Sequence, residues 1–177
     1  MKPLNIGLTE QQRSISIERL NVSLSDLYLL LIKTKKFHWD VIGPQFMTLH
    51  KLWDEQYQKI EIEIDEVAER VRALGGYPVG TAAGFLRHAK VKEYPGQVSS
   101  ATESVAALVD DHELVVRTMR EAIEACEEAN DRGTADVFTR MMQTHEDMAW
   151  MLRSFLEGDR VRSDGQRPAP RTVPHEA

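Results

Sequence analysis

The chain has one cysteine, Cys126, in 177 residues. A single thiol excludes any intrachain disulfide framework and fits a reducing, cytosolic setting. No run of about 18 apolar residues occurs, so no segment is expected to span a membrane. An apolar leader is not expected either, because Pro3, Asn5 and Thr9 stand where its hydrophobic stretch would run. Positive charge is in deficit: 22 Lys and Arg face 28 Asp and Glu, for a net charge of −6. This argues against a body-wide surface for nucleic acid or anionic lipid, although it leaves room for a basic tail or patch. No strand candidate competes with the helical pattern, and there is no internal repeat.

What is present reads as one all-α domain, long enough to bury a real core. After a loose lead-in, residues 1–13, the residues Ile17, Leu20, Leu24, Leu27, Leu31, Thr34 and His38 recur at alternating steps of three and four. That spacing predicts one face of a long first helix. Gly43-Pro44 ends it. A second helix is expected over about 45–74, with Phe46, Leu49, Trp53, Ile60, Ile64, Val67, Val71 and Leu74 apolar, stopped by Gly75-Gly76. A short helix is expected over Phe85–Val91. Ser99 or Ser100 can cap a third long helix reaching about 129, and a fourth follows over about 135–157. Four long helices with a short extra one before the third describe a ferritin-like four-helix bundle with one long crossover. The bundle spans 14–158. The tail 159–177 carries Pro168, Pro170 and Pro174 and is expected to be disordered.

The second helix carries two pairs of metal-ligand type at i, i+4: His50 with Asp54, and Asp65 with Glu69. Eleven residues separate Asp54 from Asp65, about three turns, so both pairs face the same way. They lie about 16 Å apart along the axis, too far for one ion whose ligand bonds are about 2 Å. Two copies of the helix, packed antiparallel about a two-fold axis near residues 59 and 60, remove the problem. Asp54 of one copy then lies level with Asp65 of the other, and His50 with Glu69. His38 completes the set. It lies six residues before Pro44 and His50 six after, so a hairpin brings both to one level. Two imidazoles and three carboxylates suit Fe(II), Mn(II) or Zn(II). Taken singly, each residue has an ordinary reading as a solvated charge or a core histidine; the agreement of all five does not. No histidine has a glutamate three residues before it, which argues against a di-metal site inside one bundle.

The stretch His38-Trp39-Asp40-Val41-x-Gly43-Pro44-x-Phe46-x-x-x-His50-x-x-x-Asp54-Glu55, with Asp65-Glu66-x-Ala68-Glu69-Arg70 and Leu74-Gly75-Gly76, resembles the Dps family of mini-ferritins (DNA-binding proteins from starved cells). The resemblance covers about residues 14–157, including the short helix and Trp150-Met151-Leu152-Arg153. It implies a hollow dodecamer that oxidises Fe(II), preferably with hydrogen peroxide, stores ferric mineral and protects DNA. It implies that His38, His50, Asp54, Asp65 and Glu69 are ferroxidase ligands of a di-iron site, where zinc or manganese can substitute. The tighter iron would be held by Asp65 and Glu69 with His38 of the neighbouring chain, the weaker by His50 and Asp54. Trp39 reads either as an electron donor beside the site or as a packing residue at the dimer seam. Asp131 and Asp136 match the family's acidic iron-entry pores, though a solvated surface explains them too, and Arg140 stands where some members carry a further aspartate. Glu55 and Glu61 read as mineral-nucleating or merely solvated.

DNA contact would fall to the termini. The lead offers only Lys2 and Arg13 against Glu10. The C-terminal tail offers Arg160, Arg162, Arg167 and Arg171 against Asp159, Asp164 and Glu176. Each tail neutralises few phosphates, although twelve together add by multivalency. A second reading is a DNA-compacting nucleoid protein whose metal site is vestigial or holds zinc. A third is a plain helical-bundle dimer. The expected location is the cytoplasm of a bacterium.

Overall fold

The computed structural model describes residues 4–97 and 100–157. The predicted tail and its four arginines lie outside the described residues, as do Lys2 and Ser99. Among the described residues five helices follow in order: α1 (Glu10–Asp40), α2 (Phe46–Ala73), α3 (Ala82–His88), α4 (Ala101–Glu128) and α5 (Arg132–Glu157). Among the described residues there is no strand, and no helix is long and apolar enough to cross a membrane. The four long helices form the expected bundle, with α3 in the crossover between α2 and α4.

Contacts fix the directions. Lys33 reaches Asp111, while Lys90 links the Asp26 level of α1 to Glu121, so α1 and α4 run antiparallel. Gln56 meets Met148, Glu63 meets His145 and Arg70 meets Thr134, so α2 and α5 are antiparallel too. The core holds the predicted stripe of α1 from Leu20 to His38, with Ile17 half-buried, together with Trp53, Phe138, Met119 and Leu108. Trp53 is fully buried, and truncating such a residue to alanine typically costs about 3–5 kcal/mol.

Helix ends follow local chemistry. α1 starts at Glu10 rather than near residue 14, because Thr9 and Gln12 form a capping box that satisfies the first free N–H groups. α3 starts at Ala82, not Phe85, behind the Thr81 cap. Ser100 caps α4. The end of α2 is a Schellman turn: the Gly76 and Gly75 N–H groups donate to Val71 and Arg72 carbonyls, and Gly75 takes φ +85. Asn130 takes the same left-handed role after α4, at φ 59. Gly43, at φ +98, reverses the chain between α1 and α2.

Candidate metal centre

The α1–α2 hairpin does what the spacing about Pro44 predicts: it sets His38 and His50 side by side. Their rings stack at 3.7 Å between centroids, 17° from parallel. The Nδ1 of His38 donates to the His50 carbonyl at 2.7 Å, and the Nδ1 of His50 donates to the His38 carbonyl at 2.9 Å. A carbonyl can only accept, so both Nδ1 atoms carry the proton. In the neutral ring this tautomer leaves the Nε2 lone pair free, the form in which imidazole binds a metal. Phe46 stacks on His50, and Tyr57 meets His38 edge-on at 5.5 Å.

Asp54 stands one turn beyond His50, half-buried. The Tyr57 hydroxyl donates to its Oδ1 and the Gln58 amide to its Oδ2 at 2.8 Å. The bond to Asp54 raises the Tyr57 pKa. Lys35 places its Nζ 4.7 Å from the centre of the Tyr57 ring. Sequence patterns gave no sign of Tyr57 or Gln58; the available signal was their i, i+3 and i, i+4 relation to Asp54.

Asp65 and Glu69 lie exposed on the same helix, away from the histidines. Among the described residues neither carboxylate meets a hydrogen-bond donor or cation. The arginines that an ordinary surface reading would pair with them are engaged elsewhere. Arg70 binds Asp131 and Thr134, and Arg72 binds the Gly76 carbonyl and lies over Tyr77. Among the described residues of one chain, no three His, Cys, Asp or Glu side chains converge to hold an ion. Trp39, beside His38, is 69% exposed. Glu55 and Glu61 are exposed.

The two acids assigned to a pore separate. Asp131 is 2% exposed and accepts from Arg70 Nη2 at 2.9 Å, from the Thr134 N–H at 3.1 Å and from the Thr134 hydroxyl at 2.6 Å. It caps α5 and ties that helix to α2, so its carboxylate is not free to line a pore. Burial works to raise its pKa, but the Thr134 bonds and the Arg70 charge outweigh it and hold the carboxyl below its ordinary value. Asp136 is exposed and pairs with Arg140 at 3.4 Å; Arg140 also binds Glu66 at 2.6 Å. Arg13 belongs to the fold, donating to the Leu74 carbonyl at 2.9 Å.

A second titratable group lies inside the bundle. Glu63 accepts from His145 Nε2 at 2.9 Å, and His145 Nδ1 lies 2.8 Å from His112 Nδ1. Burial, followed by the charge of His145, pushes the His112 pKa well down. The two ring nitrogens of His145 point opposite ways, so the three side chains form a line rather than a cage for an ion.

Known proteins share the fold of this chain. The ferritin-like domain matches residues 17–161. An uncharacterized low temperature-induced protein of Nostoc sp. (strain PCC 7120) is 53% identical over 173 residues, 97% of each chain. The DNA protection during starvation protein of Brevibacillus brevis is 38% identical over 138 residues, covering 78% of this chain and 92% of that protein. The crystal structure of the Dps protein from Vibrio cholerae O1, described as a member of a broad superfamily of ferritin-like diiron-carboxylate proteins, superposes with a TM-score of 0.83. It is 29% identical and covers 89% of this chain and 98% of that one. In fold, in the order of its helices and in sequence, the chain belongs to the Dps family of ferritin-like proteins.

Proposed function

We propose that the protein is a ferroxidase and iron store. It oxidises Fe(II) at sites shared between two subunits of a hollow dodecamer and keeps the ferric product as mineral. Each site takes His38, His50 and Asp54 from one chain and Asp65 and Glu69 from its two-fold mate. The observation that carries the reading is the reciprocal pair of Nδ1 bonds, which presents two imidazole Nε2 lone pairs from one hairpin. The unengaged carboxylates of Asp65 and Glu69 supply the complementary half. Two imidazoles and three carboxylates suit Fe(II) as substrate, and zinc or manganese as its competitors.

Hydrogen peroxide is the preferred oxidant. Two Fe(II) give one electron each, the O–O bond breaks, and two Fe(III) and two hydroxide ions result. No hydroxyl radical is released, which is how DNA is spared. In this reading Trp39, exposed beside His38, donates an electron to stray oxidants. Iron entry falls to Asp136 alone, with Asp131 withdrawn, and the Arg140 contact weakens the pull of that carboxylate on a cation. The protein acts in the cytoplasm.

The test removes the carboxylate half. Asp65→Ala with Glu69→Ala is expected to abolish peroxide-dependent Fe(II) oxidation while native mass still reports the oligomer. Oxidation at the wild-type rate in that variant refutes the site. Contact with DNA through Arg160, Arg162, Arg167 and Arg171 is a separate reading, favoured by their place in a terminal tail. A mobility shift that weakens as salt rises supports it; no shift at low salt ends it.

A further inference from the structure

Tyr57 has no part in the ligand set, yet it touches both sides of it. Its hydroxyl donates to Asp54 Oδ1, and its ring edge meets His38 at 5.5 Å and 82°. Lys35 closes over the ring at 4.7 Å. The phenol is thus held between residues assigned to different iron positions. Asp54 gains a second bond from Gln58 at 2.8 Å, so each carboxylate oxygen already accepts one hydrogen bond before any ion arrives. Neither bond is needed by the helix, whose backbone groups pair among themselves.

A phenol bound to a carboxylate is a charge-assisted contact that fixes the carboxylate rotamer. A ligand locked in advance spends none of the binding energy on being ordered. Carboxylates that bind metals are commonly held this way, and losing the outer partner typically lowers affinity about 10- to 100-fold. We propose that Tyr57 is a positioning residue for the metal position served by His50 and Asp54. Through Asp54 it sets the affinity of the weaker of the two positions without contacting the ion. The inference rests on the shared site proposed above.

The test uses Co(II) alone, under argon, titrated into the metal-free oligomer and followed by calorimetry and visible absorption. Wild type is expected to bind two ions per site with two affinities. In Tyr57→Phe the weaker affinity should fall about tenfold or more, with the tighter one unchanged. In an Asp54→Ala background, Tyr57→Phe should change nothing further, because its route to the ion is gone. Equal affinities in wild type and Tyr57→Phe overturn the proposal. So does the same loss in both backgrounds, or a Tyr57→Phe chain that no longer assembles, since the hydroxyl would then serve the fold. If wild type binds no Co(II), the shared site itself falls, and Tyr57 with it.

Discussion

Asp131 and Asp136 lie five residues apart and do unrelated jobs. One is a buried cap and ion-pair partner; the other is an exposed acid beside Arg140. In a sequence the two look alike, because an aspartate before a helix and an aspartate on its surface are both common. Asp131→Ala removes a cap and strands the half-buried Arg70 guanidinium. We expect it to lower stability by about 3 kcal/mol, in the range for breaking such a pair. Asp136→Ala should shift it by less than about 0.5 kcal/mol, as exposed substitutions do. Denaturant midpoints read both; equal effects would contradict the assignment. His38 and His50 were legible because a hairpin is symmetric about its turn, and residues equally far from Pro44 must meet. Tyr57 was not, because a tyrosine one turn past an aspartate is an ordinary helix pair until the rotamers are known.

Helices were legible in number and order, less so at their ends. The α1 start escaped because Glu10, Gln11, Gln12 and Arg13 carry no apolar period, and the capping box alone marks the boundary. Between Ser23 and Thr34, α1 is buried on nearly every side, since α2, α3 and α4 all pack against it. Asp26 sits in that zone, 1% exposed, and accepts from the Lys90 and Val91 backbone N–H groups at 2.6 and 2.8 Å. It pins the crossover to the bundle. Burial raises its pKa, against the pull of those two bonds. Asp26→Ala leaves two donors without a partner, and we expect a loss of about 3 kcal/mol. Asp26→Asn keeps an acceptor and should lose less. Amide exchange at Lys90 and Val91 should quicken in the alanine variant; unchanged exchange would count against the clamp.

For the whole molecule, the buried line Glu63–His145–His112 links stability to pH. The His112 pKa in the fold lies well below its ordinary 6.5, so the unfolded chain takes up a proton that the folded chain refuses. Stability should therefore fall as pH drops below about 6.5, by up to about 1.4 kcal/mol per pH unit, and this group adds no slope above that range. Asp26 and Asp111, raised by burial, act in the opposite sense above their ordinary carboxyl range, so the effect of His112 is best read as a difference. Between pH 7 and 5.5, His112→Leu should lose less of its urea midpoint than wild type does. Equal losses would place the acid sensitivity elsewhere.

In the shared site proposed above, Asp65 and Glu69 lie on the same helix as His50 but serve a different mate, which has a genetic consequence. On that proposal, a subunit lacking His50 and a subunit lacking Asp65 should each be inactive when paired with themselves. When the two pair with each other, both defects fall in one site and the other site is whole. Random mixing should restore about a quarter of the wild-type sites. Two silent alleles would then complement within one particle, whereas His50 and Asp54 defects, which fall in the same half, would not.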